Sequence, residues 1–160
     1  MAEHILFSYT FCDQIPAGKT QIAEDGCFVF EPAPGISAFS VYLFDWTAEL
    51  TTKQLAPQRY RLQYAMGYFD EAQYAHRPLR LPEARCGSIT VAFDFSCADG
   101  IYYSEHSAFV RARYYDPEKH LLAFGDLNAD GACIAFAEGQ IAVIDDTGTL
   151  RALYVALAKT

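Results

Sequence analysis

Nowhere in this chain do about 18–20 apolar residues run together, so no transmembrane helix is expected. The five cysteines, at 12, 27, 86, 97 and 133, include no C-x-x-C pair. Paired zinc-ligand spacing is therefore missing, and an odd set in this context reads as buried, reduced thiols. Basic residues are scarce, 12 against 20 acidic, for a formal net charge of −8. Such a surface repels phosphate, which argues against general nucleic-acid binding and against anionic membranes. The first residues, MAEHILFSYTFCDQI, lack a basic n-region and interrupt their apolar run with polar side chains, so they are not read as a signal peptide. A cytoplasmic location is the expectation. G-x-S-x-G, H-E-x-x-H and a glycine-rich phosphate loop are all missing. Neither a cofactor nor a metal is expected, and catalysis is disfavoured. Repeats, low-complexity segments and linkers are missing too, so residues 1–160 are read as one globular domain.

What the chain does have is apolar and aromatic bulk: 52% apolar residues, with 12 Phe and 11 Tyr, enough for a sizeable core and typical of sheets. The stretch Ser107–Leu127, SAFVRARYYDPEKHLLAFGDL, alternates Ala108, Val110, Ala112 and Tyr114 with Phe109, Arg111, Arg113 and Tyr115. It then turns at Asp-Pro-Glu-Lys and resumes an apolar run, the pattern of a hairpin. Period-two rows also predict strands over 5–11, 27–31, 59–69 and 89–97. Residues 37–46 are apolar on both faces and predict a central strand. Further strands are expected at 132–137 and 141–145, and residues 149–158 fit either a strand or a helix. TAELTTKQLAP (47–57) is the best helix candidate, with Thr47 as cap and Pro57 just past its end. Asp70 is positioned to start a single helical turn. Together these predict a mainly β protein: an antiparallel sandwich or barrel of about 9–10 short strands with one or two short helices.

Seven of the eight arginines lie between residues 59 and 113. Arg59 and Arg61, and Arg111 and Arg113, are i, i+2 pairs, each on one face of its strand. If the two strands are neighbours, four guanidiniums form a patch able to hold a carboxylate or phosphate. Ordinary pairing with outward carboxylates such as Asp94 is the plainer explanation. GDLNADG places Asp126, Asn128, Asp130 and Gly131 at the D-x-[DN]-x-[DN]-G spacing that converges oxygens on a hard cation. It is similar to the calcium loops of FG-GAP-type repeats. Its twelfth position, however, is Ala137 and its ninth Ile134, and a polar turn explains the same residues. From Phe109 to Asp126, RARYYDP and its flanks resemble the tyrosine–aspartate hairpins of Rhs-type repeat shells, with Lys119-His120 where those carry Gly-Arg. The resemblance implies a hairpin and nothing about activity. Cys97 and His106 could face each other across a hairpin, but Cys97 continues an inward row, where a thiolate is disfavoured.

The function these features favour is a non-catalytic acidic module that binds another, basic protein; an immunity or inhibitor protein occluding a bacterial toxin is one concrete form. Its contact candidates are the acidic loops carrying Asp116 and Glu118, Asp126 and Asp130, and Asp145 and Asp146, which plain solubility also explains. The alternative is a barrel binding a small anion through Arg59, Arg61, Arg111 and Arg113. A part in a larger assembly is a third, and the oligomeric state stays open.

Overall fold

In a computed structural model of the chain, residues 5–32, 37–43, 46–93, 101–103 and 112–158 are described. They form fourteen strands: β1 (Ile5–Phe11), β2 (Lys19–Ile22), β3 (Cys27–Glu31), β4 (Ser37–Leu43), β5 (Trp46–Ala56), β6 (Arg59–Tyr68), β7 (Ala75–His76), β8 (Arg85–Phe93), β9 (Ile101–Tyr103), β10 (Arg113–Asp116), β11 (Leu121–Gly125), β12 (Ala132–Ala137), β13 (Gln140–Ile144) and β14 (Leu150–Ala156). One hydrogen-bonded path runs β7-β10-β11-β14-β13-β12-β8-β6-β5-β4-β9, with β1 added to β8 and the β2–β3 pair to β6. The protein is mainly β, as its period-two rows predict. The sheet does not close into a barrel, and it is mixed rather than wholly antiparallel: β7–β10, β8–β12 and β4–β9 pair in parallel.

β8 makes this one sheet into two facing layers. Its outer half pairs with β6 (Thr90↔Arg61 to Ala92↔Arg59), while its first residues, Arg85 and Cys86, pair with β12. The sheet forks there. Between the layers lies a core that joins Phe28, Trp46, Leu50, Ile89 and Val91 of one to Leu122, Phe124, Ile134, Leu153 and Val155 of the other. Ring pairs such as Phe28–Phe124 at 5.9 Å cross between them.

A further expectation from the sequence is corrected. Residues 47–57 are not a helix but most of β5. Trp46, Ala48 and Leu50 are all at most 1% exposed, a period-two row that a reading begun at Thr47 splits. β-branched Thr47, Thr51 and Thr52 also favour the extended chain. On β6, Tyr60 and Leu62 are buried but Tyr68 is 58% exposed. A bulge, where Leu50 and Glu49 face Leu62 and Tyr64, flips the pleat so that Ala65 turns inward instead. Small residues are needed there, since a Cβ on Gly67 would come within 2.9 Å of the Phe28 ring.

Asp70 does start a single 3-10 turn (Glu71–Gln73), its side chain accepting from the Ala72 amide. The 150–156 segment is a strand, paired on both edges. The β10–β11 hairpin turns where the sequence places it, with Asp116 Oδ1 accepting from the Glu118 and Lys119 amides at 3.0 and 3.2 Å. The arm predicted before Ala112, the strand residues predicted at 94–97, and His106 lie outside the described residues.

The Pro-punctuated connection between β7 and β8 is a strap. It leaves the sheet beside β10 and re-enters beside β12, six strand spacings away along the path, roughly 29 Å. The residues from His76 to Arg85 reach about 30 Å only when nearly extended, a conformation Pro78 and Pro82 favour. Leu79 buries itself against the outer face of β11, β13 and β14, among Leu121, Ala123, Ile141, Val143, Ala152 and Tyr154.

Candidate functional site

The strand order decides which acidic loops meet. β11, β14, β13 and β12 are consecutive neighbours. The β11–β12 loop and the β13–β14 turn therefore emerge at one end of that layer, and the β10–β11 turn at the other. The first end carries Asp126, Asp130, Asp145 and Asp146; the second carries Asp116 and Glu118.

At the first end Arg151, at the start of β14, reaches both loops: Nη2 lies 3.3 Å from Asp126 Oδ2 and Nη1 3.6 Å from Asp145 Oδ2. Asp126 also caps its own turn, accepting from the Asn128 amide at 3.0 Å. That geometry uses its oxygens as a turn residue does, and the chain crosses back on Gly125, where φ is +93° and a Cβ would sit 2.4 Å from the Arg151 carbonyl oxygen. Asp145 Oδ1 accepts from the Thr147 hydroxyl (2.6 Å) and from the Thr147 and Thr149 amides (2.9 and 3.0 Å). The Thr147 hydroxyl first, then these amides and Arg151, hold the Asp145 carboxyl below the usual range. The turn is tied to β1 by the Phe7 amide donating to the Gly148 carbonyl at 2.8 Å. Asp130 and Asp146 are exposed.

Asp116 does not belong to a contact surface. It is 3% exposed, and its Oδ2 accepts from the Leu79 amide of the strap at 2.9 Å. That backbone donor, with the Lys119 and Glu118 amides and the Lys119 charge, lowers its pKa. Glu118 beside it is exposed.

The arginine patch is not assembled. β6 and β10 are separated by β8, β12, β13, β14 and β11, so Arg59 and Arg61 stand in the layer opposite Arg113. Arg113 donates to Gln73 Oε1 at 3.1 Å and lies 5.8 Å from the Tyr74 ring centroid. Arg111 lies outside the described residues. Arg61 lines a cleft of about 330 Å³ at the fork, with Cys12, Gln14, Thr51, Gln63 and Ser88 among its walls. The sequence gives no sign of this cleft, because its walls come from five separate segments.

Cys12, Cys27, Cys86 and Cys133 are free and half-buried. Burial raises the Cys27 and Cys133 thiols, the Asp25 carboxylate adding to Cys27, so both stay protonated. Among the described residues no three His, Cys, Asp or Glu converge as metal ligands, and no helix is long and apolar enough to cross a membrane. Compared with known protein families, curated proteins and solved structures, the chain finds no match.

Proposed function

We propose that this is a non-catalytic binding module that takes a basic protein partner at the acidic end formed by the 126–131 and 145–149 loops. A cytoplasmic immunity or inhibitor protein that covers the active site of a toxin is the concrete form this reading favours. The observation that carries it is the Arg151 clamp. One cation holds Asp126 and Asp145 in place, while Asp130 and Asp146 remain exposed beside them. Loops fixed before contact lose less entropy on binding. The net charge of −8 attracts a basic partner from a distance and speeds its association.

The test compares two ends of the molecule. Immobilised wild-type protein is used to capture basic proteins from the native host, and the retained complex is washed with rising salt. Asp130→Lys with Asp146→Lys should lose the partner, whereas Glu118→Lys with Glu24→Lys, at the opposite turn and on the β2–β3 turn, should keep it. Equal retention by both double variants, or a complex indifferent to salt, overturns the proposal.

A further inference from the structure

We propose that the cleft at the fork of the sheet is a binding site for a small ligand bearing a carboxylate or phosphate group, with Arg61 as its anchor. The cleft opens because β8 leaves β6 after Thr90↔Arg61 and joins β12 at Arg85, so β6 and β12 diverge and their side chains border a gap. Arg61 is held at two points: its Nε donates to Ser88 Oγ at 2.9 Å, and its backbone amide to Thr51 Oγ1 at 3.3 Å. A guanidinium has five N–H donors in a rigid plane. With Nε committed to Ser88, the Nη1–Nη2 edge is the part left to grip two oxygens at once.

The surroundings favour an anion. The described residues lining the cleft include no Asp or Glu, although the chain carries 20 of them. No carboxylate among the described residues lies within ion-pair distance of Arg61. Other arginines are engaged differently: Arg151 with two aspartates, Arg85 stacked 3.7 Å over the Phe11 ring, Arg77 over Tyr114. Ile15, Leu62 and Phe136 supply apolar wall, so the ligand's body is apolar or aromatic. About 330 Å³ falls at the small end of ligand sites.

The experiment is a thermal-shift titration of the whole chain with sodium benzoate and, separately, sodium phosphate, each against sodium chloride at matched ionic strength. A ligand that binds the folded state raises Tm in a saturable way. A benzoate shift identifies a carboxylate with an apolar body, and a phosphate shift a phosphate group; either supports the site. Arg61→Gln should weaken the responding probe at least about tenfold, the cost of removing a charge-assisted pair. Ser88→Ala, which frees Nε without removing charge, should weaken it less, and Arg113→Gln should leave it unchanged. Circular dichroism checks that each variant folds, and Arg61→Lys, retaining charge but not the fork, serves if Arg61→Gln does not. No shift beyond chloride with either probe, or an equal shift in the Arg61 variant, overturns the proposal. Neither outcome bears on the acidic end, whose 126–131 and 145–149 loops supply none of the residues lining the cleft.

Discussion

Between the part of β6 that pairs with β8 and the part that pairs with β3, Ala65 presents its N–H and C=O to no strand on that side, and the Gln140 amide takes both. Its Oε1 accepts from the Ala65 amide at 2.7 Å, and its Nε2 donates to the Ala65 carbonyl at 3.0 Å and to Thr20 Oγ1 at 3.1 Å. Gln140 is 0% exposed, so each of these bonds replaces one that water cannot supply. Gln140→Leu should destabilise by about 2–4 kcal/mol, since it strands buried groups of Ala65 and Thr20 together; urea unfolding measures it. A loss under about 0.5 kcal/mol, the size of a surface change, would show that the layers do not depend on this bond set. Asp116 gives a pH signature instead. Its folded pKa is lowered, chiefly by the Leu79 amide. Its contribution is therefore fully present above the unfolded Asp value of about 3.9 and is lost as pH falls through the lower folded value. Asp145, lowered first by the Thr147 hydroxyl, adds to the same acid limb. Melting temperature should drop steeply below about pH 4 in the wild type. Asp116→Asn should be less stable at neutral pH and lose less on acidification, and parallel curves for the two proteins would refute this role.

At the scale of elements, the strap makes the outer face of the β10–β12 layer an interior. The Leu79 amide donates to Asp116, its carbonyl accepts from Lys119 Nζ at 2.8 Å, and the Arg77 amide donates to the Tyr115 carbonyl at 3.1 Å. Leu79→Ala should cost about 2–4 kcal/mol by leaving a cavity over Ala123 and Ala152. Proteolysis between residues 77 and 84 should speed up at the same time, which limited digestion with and without the change measures. Unaltered cleavage would mean that Leu79 does not hold the strap down. How far such elements are legible from the chain depends on range. β1 and β3 match their predicted bounds residue for residue, and β12 does too, because alternation is local. β5 was hidden because its inward row starts on Trp46, one residue before the helix cap that Thr47 suggests. Residues 77–84 carry no period at all, since what they cover is set by where β7 and β8 join the sheet.

For the whole molecule, the same division separates what the sequence shows of function from what it does not. Asp, Asn and Gly mark the 126–131 and 145–149 turns, but that the two meet follows from the β11-β14-β13-β12 order, which pairing energies across distant segments decide. Spacing shows that Arg59 and Arg61 share a face, and that Arg111 and Arg113 do; it carries no word on whether their strands touch. The fork in β8 that opens the cleft is likewise a product of assembly. This interlocking has a thermodynamic consequence. β8 contributes to both layers, Gln140 of one layer bonds Ala65 of the other, and one buried cluster spans both. Neither layer keeps its inner face covered if the other leaves, so the two should unfold as one unit. Trp46, 1% exposed in the first layer, reports that layer by fluorescence, while far-ultraviolet circular dichroism reports all strands. The two urea transitions should coincide, with one midpoint and one slope. An earlier fluorescence midpoint would show the first layer detaching alone, and the chain would then be two folding units rather than one.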